Sequence, residues 1–70
     1  MSGWPSSKAS RVLAALLGIG YRIVRTRGSH RTLRHEDGRE VLFAFHDSDE
    51  IGPKMLARIG KASGLKPGDL

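Results

Sequence analysis

The fold of this chain is decided by residues 33–45, which read LRHEDGREVLFAF. Two segments rich in β-forming residues flank a polar turn that contains Asp37 and Gly38. This pattern is typical of a β-hairpin. We therefore predict two antiparallel strands, at about residues 29–35 and 40–45.

The register of this hairpin follows from the length of its loop. A two-residue loop would place Arg34 opposite Val41 and mix charge into the apolar side. A three-residue loop of residues 36–38, with Gly38 in the left-handed conformation, instead sets Leu33 opposite Val41. On this register the core face carries Leu33, Val41, Phe43 and Phe45, and the open face carries His30, Thr32, Arg34, Leu42, Ala44 and His46.

A helix and a further strand are predicted before the hairpin. Apolar residues recur at helical spacing over about residues 8–18, and Ser6 or Ser7 can cap the first turn. Residues 21–25 are rich in β-formers and predict the first strand of the sheet.

A second amphipathic helix is predicted to begin at Pro53 and to end at Gly64. The order helix, three strands, helix implies an α+β fold, with a three-stranded antiparallel sheet and both helices on one face. This order matches double-stranded-RNA-binding domains in topology. We expect a single domain over residues 1–70, with residues 1–6 loosely ordered.

Size and composition restrict the class of protein. The chain has 70 residues, 39% of them hydrophobic, and no cysteine. One small core without disulfides fits a reducing compartment, so we expect a cytoplasmic protein. The apolar run of residues 12–19 is too short to span a membrane, and we expect no membrane partner.

The basic residues are concentrated in the first half of the chain. Twelve Lys and Arg against seven Asp and Glu give a formal net charge of +5. Five arginines and no acidic residue lie between Arg22 and Arg34. Such a segment attracts phosphate groups, and a solvated basic surface is the alternative interpretation.

The segment from Arg25 to His30 carries the most informative chemistry. Gly28 lets the backbone turn, Ser29 offers a hydroxyl and an amide, and His30 places an imidazole among arginines. A histidine can take and return a proton near neutral pH. RNA carries its own nucleophile, the 2′-hydroxyl, so its cleavage needs a base, an acid and charge stabilisation but no metal in principle.

A second histidine could share the same chemistry. On the preferred register His46 lies diagonal to His30, about 7 to 8 Å away between backbone positions. His30 is therefore the first candidate catalytic residue and His46 the second. The candidate RNA-binding side chains are those of Arg25, Arg27, Ser29, Arg31 and Arg34.

We expect neither a metal nor another cofactor. The three histidines lack the spacing of a helical zinc site, and there is no cysteine. The acidic loop of residues 47–50 also lacks the glycine and terminal glutamate of a calcium-binding loop.

The complete pattern resembles the HicA (YcfA-like) family over about residues 7–70. The features that carry the resemblance are Gly20-Tyr21, Arg27-Gly28-Ser29-His30, Asp37-Gly38-Arg39, His46 and Gly64-Leu65. The resemblance implies a small double-stranded-RNA-binding-like fold that cleaves messenger RNA without metal. It also implies that the histidine of the Gly-Ser-His motif, here His30, is catalytic, and that a HicB-type antitoxin covers the active face.

Three functions remain open on the sequence alone. The first is an endoribonuclease of the toxin type, and the second is a non-catalytic RNA-binding domain with the same fold. The third is a protein-binding domain whose basic face meets an acidic chain without affinity for RNA. Dependence of RNA cleavage on His30 separates the first function from the other two.

Overall fold

The computed structural model describes residues 3–70. Its helices are α1 (Ala9–Gly18) and α2 (Pro53–Ser63), followed by a 3-10 turn at Pro67–Asp69. Its strands are β1 (Ser7–Lys8), β2 (Tyr21–Arg27), β3 (His30–His35), β4 (Glu40–Ala44) and β5 (Glu50–Ile51). Neither helix within residues 3–70 has the length and apolar character needed to cross a lipid bilayer.

The central sheet has the order β2-β3-β4, and both pairs of neighbours are antiparallel. Leu33 pairs with Val41 and Arg34 pairs with Glu40, so the predicted register of the hairpin is confirmed. Gly38 has a φ of 97°, which is the left-handed conformation that the three-residue loop requires.

Strand β2 contains a β-bulge, which the residue pattern of this strand does not predict. Ile23 pairs with Leu33, but the next pair along the ladder joins Arg25 to Thr32. Val24 is therefore the extra residue on β2. The bulge changes which side chains of this strand face each side of the sheet.

The helices and the sheet enclose one hydrophobic core, and the predicted α+β fold is confirmed. Leu16 of α1, Leu33 and Phe43 of the sheet, and Leu56 of α2 are fully buried. Phe45, predicted on the core face, is half-buried and packs against this cluster. The opposite face of the three-stranded sheet stays open, as the predicted helix placement requires.

The start of α1 corrects the predicted serine cap. The residue before the helix is Lys8, and no side chain caps the first turn. Instead, the backbone N–H of Ala9 donates to the carbonyl of Asp49 at 2.8 Å, and that of Ser10 donates to the carbonyl of Asp47 at 3.2 Å. The pairing of Ser7 and Lys8 with β5 brings these carbonyls to the helix terminus.

The end of α2 is fixed to the sheet by hydrogen bonds to one carbonyl. The Tyr21 hydroxyl donates to the Ser63 carbonyl at 2.8 Å, and Arg39 Nη1 donates to the same oxygen at 3.0 Å. Gly64 follows with a φ of 83°, and Leu65 is buried beyond it. These contacts satisfy the C-terminal carbonyl and hold the helix beside the β3–β4 turn.

Met1 and Ser2, part of the segment expected to be loosely ordered, lie outside the described residues. Farther along that segment, Trp4 is half-buried and packs against the core. A Cβ atom at Gly60 would lie 2.5 Å from Cζ2 of Trp4, so the absence of a side chain at Gly60 makes room for the indole. The N-terminal segment thus contributes apolar surface to the α2 side of the domain.

Candidate nucleic-acid interface

Three cross-strand rows cover the open face of the sheet. Starting from the β2–β3 turn, the rows are Arg27, His30 and Ala44; Arg25, Thr32 and Leu42; and Arg22, Arg34 and Glu40. Residues that pair across antiparallel strands project to the same face, so each row is a set of side-chain neighbours. Thr32 is half-buried and the others are exposed.

The bulge at Val24 brings the arginines of β2 together. In a regular strand, alternate residues face opposite sides, so Arg22 would face away from Arg25 and Arg27. With the extra residue in place, Arg22 pairs with Arg34, and Arg27 pairs with His30. As a result, all three arginines of β2 share the open face with the histidine.

The open face carries a positive charge that is only partly compensated. Arg34 Nε donates to Glu40 Oε2 at 2.9 Å, and both side chains are about half exposed. Exposed ion pairs of this kind contribute little to stability. Arg22, Arg25 and Arg27 have no ion pair with an acidic residue within residues 3–70, so their charge is available to an anionic ligand.

A depression lies on this face, between the second and third rows. It measures about 300 Å³ and is lined by Val24, Arg25, Thr32, Arg34 and Glu40. Two basic side chains and one hydroxyl at its walls can donate hydrogen bonds to phosphate oxygens. The depression therefore suits one segment of a nucleic-acid backbone.

His30 is the first residue of β3, directly after the Gly28-Ser29 turn. Gly28 has a φ of 61°, as expected of the first central residue in a two-residue hairpin turn. The His30 side chain is exposed, and its imidazole has no hydrogen bond to any of residues 3–70. Neither ring nitrogen is therefore engaged by a partner within the described residues, and both can hydrogen-bond to a ligand.

Arg31 is separated from the other candidate RNA-binding arginines. It pairs with Thr26 and Phe43, and its side chain is on the opposite face from His30. Its Nη1 donates to Asp47 Oδ1 at 3.1 Å, and only 22% of the side chain is exposed. The structure thus brings Arg25, Arg27 and Arg34 together on the open face, while Arg31 lies behind it.

His46 lies in the loop after β4 rather than on the strand. Because β4 ends at Ala44, the cross-strand geometry that relates residues to His30 does not extend to His46. Its backbone N–H donates to Asp49 Oδ2 at 2.9 Å. The residue lines a second groove, beside the Gly28-Ser29 turn.

His35, the third histidine, is held in the structure by its neighbours. Its Nε2 lies 3.0 Å from the carbonyl of Ile19, and its Nδ1 accepts a hydrogen bond from the backbone N–H of Asp37 at 3.2 Å. The ring also meets that of Tyr21 edge to face at 5.0 Å between centroids. These contacts indicate that the His35 side chain contributes to packing and has no role at the open face.

Two features of the site could not be read from the sequence. Arg22 was not among the candidate RNA-binding residues, because its spacing from Arg25 gives no sign of the bulge. The pairing of Arg31 with Asp47 joins residues 16 positions apart and depends on how the loop after β4 folds.

Among residues 3–70, no cluster of three or more His, Asp or Glu side chains could hold a metal ion.

Fold and site together define a class of protein: a small α+β domain of double-stranded-RNA-binding-like topology, with a histidine on a basic, open sheet face. The family profile for the HicA toxin of bacterial toxin-antitoxin systems matches residues 9–65. This match covers most of the chain, and the chain therefore belongs to the HicA toxin family. Membership implies an antitoxin partner. A comparison with curated proteins found no match.

Proposed function

We propose that this toxin is an endoribonuclease that cleaves messenger RNA in the cytoplasm by metal-independent acid-base catalysis at His30. One observation carries the proposal: His30 and Arg27 are cross-strand partners on the open face, with Arg22 and Arg25 beside them. Phosphates held by these guanidinium groups would lie within reach of the imidazole.

The reaction needs no group beyond those of the protein and the RNA. The 2′-hydroxyl attacks the adjacent phosphorus while a base removes its proton, and an acid protonates the departing 5′-oxygen. Arginines stabilise the negative charge that grows on the phosphoryl oxygens. The products are a 2′,3′-cyclic phosphate and a 5′-hydroxyl.

His30 can serve as the base or the acid in this scheme. The imidazole is exposed and lies among cations that attract the phosphate, and histidine is the side chain most often used for acid-base catalysis. His46, in the loop at the same end of the sheet, is the candidate for the complementary role. We expect His46→Ala to lower cleavage less than His30→Ala does, because only His30 belongs to the row of Arg27.

A HicB-type antitoxin is proposed to neutralise the toxin by covering the open face. Two apolar side chains are exposed there, Leu42 with 63% and Val24 with 40% of its surface accessible. Their position among arginines suits a partner that presents acidic side chains around an apolar contact. Such a partner would exclude RNA from His30.

The test is to incubate the purified chain with RNA, with and without a chelator, and to identify the ends of any fragments. We expect cleavage to persist in the chelator and to leave a 2′,3′-cyclic phosphate or its hydrolysis product. Loss of cleavage in the chelator, with recovery on adding divalent ions, would contradict the proposed mechanism.

The second candidate is a non-catalytic RNA-binding domain, which the same basic face favours. That function predicts RNA binding without cleavage by either the parent or His30→Ala. A parent that cleaves RNA and a His30→Ala variant that only binds it would exclude this alternative.

A further inference from the structure

The groove beside the Gly28-Ser29 turn shares no lining residue with the depression on the basic open face. It has a volume of about 490 Å³ and lies between Gly28, Ser29 and Arg31 on one side and residues 45–48 on the other. Its walls combine an aromatic ring, a carboxylate and a guanidinium, which is the chemistry of a small planar ligand rather than of a backbone phosphate.

The charges in the groove cancel. Arg31 Nη1 donates to Asp47 Oδ1 at 3.1 Å, so the guanidinium that lines the groove is already paired with a carboxylate. On the open face, by contrast, the arginines of β2 have no such partner within residues 3–70. A phosphate is therefore attracted to the open face, and a neutral group is preferred in the groove.

Phe45 supplies an apolar surface in the groove. It is half-buried, and its ring meets that of Phe43 edge to face at 5.1 Å between centroids. The contact with the core fixes the ring, while its accessible part faces the groove. An aromatic ring that is fixed by its neighbours in this way is a surface on which a nucleobase can stack.

Asp47 adds selectivity to this surface. Its side chain is 65% exposed, and one of its oxygens, Oδ2, has no hydrogen bond within residues 3–70. An ionised carboxylate accepts about four hydrogen bonds, so the contact with Arg31 leaves capacity for a ligand. Guanine offers two adjacent donors, N1–H and N2–H, to such an acceptor, whereas adenine, cytosine and uracil offer donors at one position only.

We propose that this groove binds a guanine base of the RNA substrate, and that Asp47 selects guanine over the other bases. The inference rests on the proposed ribonuclease function and adds a base-recognition site to it. Ser29 lines the groove and directly precedes His30 in the chain. A nucleotide next to the phosphate at His30 can therefore turn its base over the end of the sheet into the groove.

The test measures binding in the absence of cleavage. Short 2′-O-methyl oligouridines lack the nucleophilic hydroxyl, so the protein cannot cut them by the proposed mechanism. One central uridine is replaced by guanine, adenine or cytosine, and affinities are measured by fluorescence anisotropy. We expect the guanine oligonucleotide to bind at least about fivefold more tightly than the others, which is the lower range for a good two-bond base contact.

The variant Asp47→Asn should lose the preference for the guanine oligonucleotide. Its affinity for plain oligouridine should stay within about twofold of the affinity of the control variant Glu36→Gln. Both variants lose one acidic charge, but Glu36 lies in the turn at the other end of the sheet. The fold should persist in Asp47→Asn, since α1 uses the backbone carbonyl of Asp47 and not its side chain. Circular dichroism checks this point.

Two outcomes would overturn the inference. Equal affinity of the parent for all four oligonucleotides, together with cleavage of unmodified RNA, would reject the guanine site and leave the ribonuclease function standing. Absence of both binding and cleavage would reject the two together. A uniform gain in affinity for every oligonucleotide in Asp47→Asn and Glu36→Gln alike would show a general charge effect and also overturn it.

Discussion

Arg27 and His30 face each other across β2 and β3, at the two ends of the Gly28-Ser29 turn. The turn fixes their pairing, and the bulge at Val24 keeps Arg22 and Arg25 on the same face. A guanidinium that holds a phosphate and an imidazole that moves a proton are therefore neighbours by the geometry of one hairpin. This arrangement depends on the backbone more than on side-chain contacts.

The first prediction concerns the arginines of the open face. Arg25→Gln and Arg27→Gln should each weaken binding of single-stranded RNA, because each removes a charge that neutralises a phosphate. For each phosphate that is no longer neutralised, the slope of log affinity against log salt should become shallower by about 0.7. Anisotropy titrations at several salt concentrations measure this slope.

Arg58→Gln is the matched control for those two variants. Arg58 is exposed on α2, which packs against the other side of the sheet. The same loss of charge should leave the salt slope close to that of the parent. Equal changes in all three variants would show that total charge, and not the open face, governs binding.

A second prediction concerns the packing of α2. A Cβ atom at Gly60 would lie 2.5 Å from Cζ2 of Trp4 and 2.8 Å from the carbonyl oxygen of Leu65. Gly60→Ala should gain about 1 kcal/mol of helix propensity but lose about 1 to 3 kcal/mol to overpacking. We expect net destabilisation in urea unfolding, since the carbonyl belongs to the backbone and cannot move aside easily.

Gly18→Ala separates propensity from packing. Gly18 ends α1, and nothing lies within 4 Å of a Cβ built there. This variant should leave the free energy of unfolding unchanged or raise it by up to about 1 kcal/mol. A Gly60→Ala protein that is as stable as Gly18→Ala would contradict the close contact with Trp4.

The third prediction concerns the pH dependence of stability at the β3–β4 turn. The hydrogen bond from the backbone N–H of Arg39 to Asp37 Oδ1, at 2.9 Å, lowers the pKa of Asp37, and the Arg39 side chain adds to the effect. Because the folded pKa is below the unfolded value of about 3.9, the carboxylate stabilises the fold above that value. This contribution is lost as the pH falls through the folded pKa.

Asp37→Asn should therefore be less stable than the parent at neutral pH, and the difference should shrink as the pH falls from about 3.9 through the folded pKa. Urea unfolding between pH 7 and pH 2 measures it. Glu36→Gln is the control in the same turn, because Glu36 is exposed and forms no hydrogen bond through its side chain within residues 3–70. A gap between parent and Asp37→Asn that stays constant with pH would contradict the prediction.

The register of the β3–β4 hairpin was predictable because only one loop length places its charged and its apolar side chains on opposite faces of the sheet. With Leu33 opposite Val41, both residues reach the core, and Arg34 meets Glu40. A shift by one residue would bury charge, which costs more than any turn preference gains. Local sequence therefore determined this part of the fold.

The bulge in β2 was not predictable in the same way. Ile23 and Val24 are both good strand residues, and neither signals which of them is the extra one. Pairing with β3 decides which residue is extra. Leu33 requires one apolar partner, and the Gly28-Ser29 turn sets Arg27 opposite His30. Arg22 was consequently missed as a member of the basic face.

The α1 terminus and the position of His46 depended on contacts between distant parts of the chain. The carbonyls of Asp47 and Asp49 cap the helix from 37 and 40 residues away, so a serine preceding the helix was the only local candidate. The same loop takes His46 off the strand, since β4 ends at Ala44. Loop conformations of this kind are set by tertiary packing rather than by local propensity.

The last prediction concerns His30. If its imidazole transfers a proton in the cleavage step, His30→Ala should lower the cleavage rate by about 10² to 10⁴-fold, the range that general acid-base catalysis contributes. RNA affinity should change much less, because the arginines of β2 remain in place. The exposed side chain has no hydrogen bond within residues 3–70, so the free energy of unfolding should move by no more than about 0.5 kcal/mol.

Leu42→Ala is the control for His30→Ala, because Leu42 is exposed on the same open face and lies outside the row of Arg27 and His30. His35→Ala is unsuitable, since it would remove the contacts of its ring with Ile19 and Tyr21 and so disturb the fold. Leu42→Ala should keep most of the cleavage rate, which would show that the loss in His30→Ala comes from the imidazole and not from any change on this face. A folded His30→Ala protein that binds and cleaves RNA at the parent rate would exclude His30 as the proton-transfer residue.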